Sequence, residues 1–226
     1  MNEKAKRILE QIEGNLDYFR ELGIEYVPGD SSHSSGELSK EEILSSLDRE
    51  IKQCQKCPLA KLRKNAVPGE GHLGADLMFV GEGPGRDEDL QGKPFVGRAG
   101  ELLTKIIQAM KFKRESVYIT NVIKCRPPEN RNPISSEIEA CKGYLFKQIE
   151  LISPKVIVTL GNVPTRFFLN TNAGITSLRG KFHTYKGIRI MPTFHPSYLV
   201  RNEEDRRLRK MVWMDMQKVM AVLGKK

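Results

Sequence analysis

The sequence predicts an α/β fold, a three-layer α/β/α sandwich around a central, mainly parallel sheet. Four short apolar runs have the length and β-branched content of buried strands: LMFVG from 77, SVYITNVI from 116, KVIVTLG from 155 and IRIMPTF from 188. Helical periodicity falls between or after them, near 100–112, 136–152, 161–169 and 204–223, and such alternation gives parallel crossover units. At 226 residues and 39% apolar content the chain has the material for one domain with an appendage.

The appendage comes first. Ala5, Ile8, Leu9, Ile12, Leu16 and Phe19 share one helical face, and Gly23 ends the pattern, so residues 1–27 read as an amphipathic helical extension. PGDSSHSSGELS marks 28–40 as a polar linker, and the main domain spans 41–226. Ser39 and Glu42 have the spacing of a capping box, opening a helix that runs toward Cys54. No apolar stretch is long enough to span a membrane, and MNEKAKRILEQIEGNL lacks the apolar region of a secretory signal. A cytoplasmic location is expected, with the four cysteines as thiols or metal ligands rather than disulfides.

Their spacing favours ligands. Cys54 and Cys57 form C-x2-C, and Cys125 and Cys141 supply two more sulfurs. Zinc and an iron–sulfur cluster both accept four cysteines. The second pair does not repeat C-x2-C, and Pro58 follows Cys57 as in some cluster-binding runs, which favours a four-iron, four-sulfur (4Fe-4S) cluster. Four unrelated buried thiols are the plainer alternative.

After the first strand comes GEGPGRDEDLQGKPFVGRAG, residues 81–100. It holds no P-loop string, and Gly81, Gly83 and Gly85, with Pro84 removing a donor, miss the dinucleotide spacing. Glu82, Asp87, Glu88 and Asp89 would also repel an anion. The loop therefore suits a neutral ligand or a developing cation, unless it is only a turn with solvated acids. Charge is uneven along the chain. Residues 1–40 carry five Lys/Arg against eight Asp/Glu, net −3, leaving 32 against 20, net +12, for 41–226. A basic domain around an acidic loop suggests a polyanion held about a non-anionic reacting centre, although charge alone also fits an ordinary basic protein.

In a parallel sheet the ligand crevice lies at the carboxyl ends of the strands, so the glycine-rich loop, Asn121 and His195 are expected to face one crevice. The segment FHPSYLVRNEEDRRLRK, 194–210, fixes His195 in extended backbone before Pro196. Ser197, Arg201 and Asn202 are candidate phosphate ligands, and Leu199, with no obvious core face, is a candidate wedge for a base stack.

KPFVGRAG, TNVIKCRPPENRNP, FHPSYLVRN and the four cysteines, in this order over about residues 41–223, resemble the family 4 (iron–sulfur) uracil-DNA glycosylases. The resemblance implies the uracil-DNA glycosylase-like form of the fold and a monofunctional enzyme that flips uracil out of single- or double-stranded DNA. It would hydrolyse the N-glycosidic bond and leave an abasic site for base excision repair. By resemblance Phe95 stacks on the flipped base and Asn121 reads it, accepting from N3–H and donating to O4. Glu82 and Gly83 wall off C5 against thymine, and His195 donates to O2 as negative charge arrives there. Carboxylates from Glu82, and from Glu88 or Asp89, would steady the cationic sugar or position water. Cluster-free relatives carry an aspartate in the water-activating motif where this chain has Gly83, so the catalytic role of Glu82 stands as a hypothesis. Pro196, Ser197, Leu199, Arg201 and Asn202 would bind DNA, with Leu199 filling the gap in the stack. The cluster on Cys54, Cys57, Cys125 and Cys141 would be structural. RPPENRNPISSE contains no inserted basic, histidine-containing segment, which favours turnover over covalent trapping of DNA.

The expected state is a monomer, with the N-terminal helix free to dock a repair or replication partner. Two other readings fit the sequence: a noncatalytic uracil- or damage-binding or polymerase-associated module, and an α/β hydrolase of free nucleosides or small glycosides.

Overall fold

A computed structural model describes residues 38–225, so the expected extension 1–27 and all of the linker before 38 lie outside the described residues. Within them, β1 (Glu70–Gly71), β2 (Leu77–Gly81), β3 (Tyr118–Asn121), β4 (Val156–Leu160), β5 (His183–Tyr185) and β6 (Ile188–Thr193) form one sheet in the order β1-β3-β2-β4-β6-β5. The central pairs β3–β2, β2–β4 and β4–β6 are parallel, while the short edges β1 and β5 pair antiparallel. The helices are α1 (Lys40–Gln53), α2 (Arg86–Gln91), α3 (Arg98–Ala109), α4 (Ser135–Ile152), α5 (Asn162–Leu169), α6 (Ile175–Leu178), α7 (Pro196–Arg201) and α8 (Arg206–Val222). None of them is long and apolar enough to cross a membrane.

The continuous apolar runs are strands buried on both faces, as a parallel sheet between helices requires. Alternation along β2 shows it: Met78 and Val80 pack with Leu47 and Ile51 of α1 and Leu145 and Ile149 of α4. Leu77 and Phe79 pack on the opposite face with Leu103 and Ile107 of α3 and Val212 and Met216 of α8. The expected three layers follow. The capping box at α1 is formed, with Glu42 N–H donating to Ser39 Oγ at 3.2 Å and Ser39 N–H to the Glu42 carboxylate at 2.8 Å.

Register brings the strand ends level. Gly81 lies opposite Asn121, and Leu160 opposite Thr193. The chain leaves β2 for β3 on one side and then crosses to β4 on the other, so the switch in direction opens a crevice above β2. Buried Asp215 of α8 fixes the end of β6, accepting from Thr193 Oγ1 at 2.6 Å and, at its two oxygens, from Nε and Nη2 of Arg179. His195 begins two residues beyond that clamp.

Candidate active site

The crevice is a cleft of about 610 Å³, within the range of small-molecule sites, and its lining includes Glu82, Phe95, Asn121, His195, Tyr198 and Arg201. Asn121 closes β3 and is 1% exposed, and its Oδ1 has no hydrogen-bond partner among the described residues. A buried acceptor left unpaired costs about 1–3 kcal/mol, so the site is built for a ligand N–H to complete it. Gly81 makes the convergence possible. A Cβ there would lie 2.3 Å from Asn121 Oδ1 and 2.6 Å from Phe95 Cζ.

Phe95 sits at φ +52°, a left-handed conformation that costs a non-glycine residue of order 1 kcal/mol and must be held by its surroundings. Glu88 holds one side, accepting from Val96 N–H (2.9 Å), Gly97 N–H (3.2 Å) and Gly85 N–H (3.1 Å). Arg114 holds the other, donating to Pro94 O at 2.6 Å while paired with Glu70 at 2.8 Å. Gly100 admits the turn, since a Cβ there would fall 1.9 Å from Phe95 O.

These contacts correct two expectations. Glu88 borders the cleft, but both its oxygens are taken by backbone N–H groups, so it positions Phe95 and is not a free carboxylate for sugar or water. Asp89 is 4% exposed and turned away, its Oδ1 accepting from Lys64 and Asn65 N–H. The acidic loop thus offers the cleft one uncommitted carboxylate, Glu82. Its pKa is raised from the ordinary glutamate value by burial. Gly83 lines the cleft beside it, its Cα facing Ile123 so closely that a Cβ would meet Cγ1 at 2.7 Å.

His195 follows β6 directly. Its Nδ1 accepts from Ser197 N–H at 3.1 Å and lies 2.7 Å from Ser197 Oγ. The backbone donor fixes the tautomer, leaving the proton on Nε2. Burial first, and then the charge of Arg201, lower the pKa to about 4, so the imidazole is neutral at pH 7. Its ring lies 5.6 Å from that of Phe95, centroid to centroid. Gly161, at φ +94°, allows β4 to approach: a Cβ would stand 3.2 Å from His195 Cβ.

The segment after His195 is a short helix rather than an open loop. Pro196 is buried at its first position, Ser197 serves the imidazole rather than standing free for phosphate, and Asn202 Nδ2 donates back to Tyr198 O at 2.8 Å. Arg201 is exposed on the cleft wall, as a phosphate ligand should be. Leu199 departs from its expected role as well. It is 2% exposed in the core layer of α3 and α8, and withdrawing a leucine from such a site costs about 2–5 kcal/mol. Its neighbour Tyr198, which the sequence does not single out, is the exposed residue.

The four cysteines line one second cavity together with Arg63, Lys124 and Tyr144. Cys54 ends α1, Cys57 precedes a 3-10 turn, Cys125 follows β3 by four residues and Cys141 lies in α4. Donors point at the sulfurs: Arg63 Nη1 to Cys125 at 2.8 Å, Lys124 N–H to Cys141 at 3.3 Å and Lys56 N–H to Cys54 at 3.5 Å. Tyr144 OH is buried there without a partner among the described residues. As thiols, Cys125 is pushed up by burial and Cys141 to about 11, against the pull of Arg63 and Lys124, and a bound cation would favour the thiolates further. Among the described residues no three His, Cys, Asp or Glu side chains converge as ligands of one ion. Lys124 joins this cavity to the cleft. It is 1% exposed, lowered to about 8 by burial, and its Nζ donates to Thr120 Oγ1 (2.6 Å), Gln148 Oε1 (2.7 Å) and Asn121 O (2.8 Å).

Known proteins match this arrangement along most of its length. The Uracil DNA glycosylase superfamily profile matches residues 68–217. A Type-4 uracil-DNA glycosylase of Thermotoga maritima is 46% identical over 189 residues, covering 83% of this chain and 98% of that one. The Type-4 enzyme of Saccharolobus solfataricus is 47% identical over 186 residues, covering 78% and 85%. That of Archaeoglobus fulgidus is 42% identical over 193 residues, covering 82% and 96%.

Proposed function

We propose how the site works in this chain, which belongs to the uracil-DNA glycosylase superfamily and within it to the type-4 enzymes. The protein is a DNA repair glycosylase: it hydrolyses the bond between uracil and deoxyribose, releasing the base. The observation that carries the reading is the unpaired Oδ1 of Asn121, buried beside the Phe95 ring and the neutral imidazole of His195. The amide accepts from uracil N3–H and its nitrogen donates to O4, a pattern that cytosine reverses at both positions. Phe95 stacks on the flipped base. Glu82 and the Gly83 backbone stand against C5 and exclude the methyl group of thymine. Release of free uracil from an oligonucleotide, with strand scission by alkali only at the uracil, tests the reaction. A protein that binds the same DNA without releasing base would be a recognition module instead.

Cleavage builds positive charge on the sugar and negative charge on the leaving base. His195 Nε2–H donates to O2 as that charge forms, and Arg201 grips a flanking phosphate, giving salt-dependent binding. Glu82 in its charged form faces the sugar or aligns water. Replacing Glu82 with Gln lowers the single-turnover rate about a hundredfold or more. Because burial raises the Glu82 pKa, the active carboxylate is present above that raised value and is lost as pH falls through it. The parent therefore shows an acid limb lying above the ordinary glutamate range, and the Gln variant does not. The same shift makes charging Glu82 unfavourable to the fold, so the Gln variant melts at a higher temperature at pH 7. A Gln enzyme with the parental rate and profile would remove Glu82 from the mechanism.

The cysteine cavity fits a 4Fe-4S cluster. Four thiols share one cavity, and N–H groups and the Tyr144 hydroxyl are placed to donate to thiolate sulfur. Bound there, the group supplies a covalent cross-link and no electrons to the reaction. Cys54, Cys57, Cys125 and Cys141 would hold it, which would tie the end of α1 and the segment after β3 to α4, next to Lys124, whose Nζ donates to Asn121 O. Replacing Cys125 with Ser is expected to remove the brown visible absorbance and to lower stability and activity together. A colourless, stable, fully active variant would separate the cluster from the fold.

A further inference from the structure

The geometry points to Tyr198, rather than Leu199, as the side chain that enters the base stack when a nucleotide is turned out. The inference rests on the uracil-flipping reading above. Leu199 is committed to the core between α3 and α8, whereas Tyr198, one residue earlier, is 40% exposed on the cleft wall beside Arg201. The ring is braced rather than loose: its centroid lies 5.4 Å from that of Phe194, at 45°. Behind it the Tyr198 carbonyl accepts from both the backbone and the side-chain N–H groups of Asn202, closing α7 at its end.

α7 starts directly after His195, so the group that meets the leaving base and the ring that would replace it in the stack are three residues apart on one rigid turn. A flipped nucleotide leaves a gap one base plane thick. Tyrosine fills such a gap with flat apolar surface at the cost of fixing only two torsions, and its face stacks on any base. An aliphatic wedge has no such face. A leucine pinned in the core cannot reach the gap without emptying its own site.

The test compares the parent, Tyr198→Ala and Tyr198→Phe on a duplex with uracil opposite adenine and on the same strand alone, with 2-aminopurine beside the uracil reporting unstacking. A duplex needs its gap filled, while a single strand has no opposing stack to hold open. Tyr198→Ala is expected to lower the duplex-to-single-strand ratio of rates about tenfold and to weaken the 2-aminopurine signal, with Tyr198→Phe retaining both. Leu199→Met, which keeps the core volume, is expected to leave the ratio at the parental value. An unchanged ratio for Tyr198→Ala overturns the inference, as does a Phe variant as impaired as the Ala variant. A fall for Leu199→Met equal to that for Tyr198→Ala returns the role to Leu199. A parent that releases uracil from neither substrate overturns the glycosylase reading itself, which is a distinct result.

Discussion

Replacing His195 with Ala lowers the single-turnover rate of uracil release about a hundred- to a thousandfold, with much less effect on DNA affinity. The expected size follows from placement. A donor that meets charge only in the transition state affects the chemical step and not the ground-state complex. The Ser197 N–H holds Nδ1 as acceptor, so the proton stays on Nε2 of this cleft-lining residue before substrate arrives and none has to be taken up first. With the pKa near 4, the parental rate shows no break at the ordinary histidine value of about 6.5. Stability behaves differently. Between about 6.5 and 4 the unfolded chain binds a proton at this residue that the folded chain does not, so this contribution is intact above 6.5 and is lost as pH falls toward 4. Rates that instead rise as pH drops through 6.5 would mean that the imidazolium is the working form.

Fold and site were legible in the sequence to different depths, for reasons that particular residues show. The four parallel strands are continuous apolar runs, buried on both faces, and such runs stand out from the polar segments around them. β1 and β5 have two and three residues, too few to show a period. Asn121 and His195 were placed by topology, because strand ends in a parallel sheet share a crevice. The carboxylates were not separable in this way. Glu82, Glu88 and Asp89 look alike in a glycine-rich loop, and only the positions of the Gly85, Val96, Gly97, Lys64 and Asn65 N–H groups distinguish a free acid from two anchored ones. The burial of Leu199 does not show in the sequence, because a six-residue helix has no evident face until α3 and α8 pack on it. Arg114 and Lys124 act across gaps of 20 to 44 residues that spacing does not reveal. Lys124 did leave a trace, as a charge inside the apolar run leading to Cys125.

The largest change of specificity is expected from Asn121→Asp. On the proposed reading, the orphaned Oδ1 accepts from uracil N3–H in the parent and the amide nitrogen donates to O4. A carboxylate keeps the first bond but sets a second oxygen against O4, so uracil release falls about a thousandfold or more, as for a site whose buried polar groups go unpaired. Cytosine presents the opposite edge, with a donor at N4 and an acceptor at N3. The carboxylate accepts from N4–H, and only the small fraction of the variant that retains its proton also donates to N3. Slow release of cytosine, absent in the parent, is therefore expected from the variant. The change should spare the fold, because Lys124 Nζ is held by the main-chain carbonyl of residue 121 and not by its side chain. Visible absorbance and melting temperature close to the parent's would show this. With the fold intact, the comparison of Asn121→Asp with Asn121→Ala isolates base reading. Alanine abolishes uracil release without gaining cytosine, since it removes both polar atoms and offers cytosine nothing in return. If both variants lost uracil equally and neither released cytosine, the amide would be holding the cleft in shape rather than reading the base.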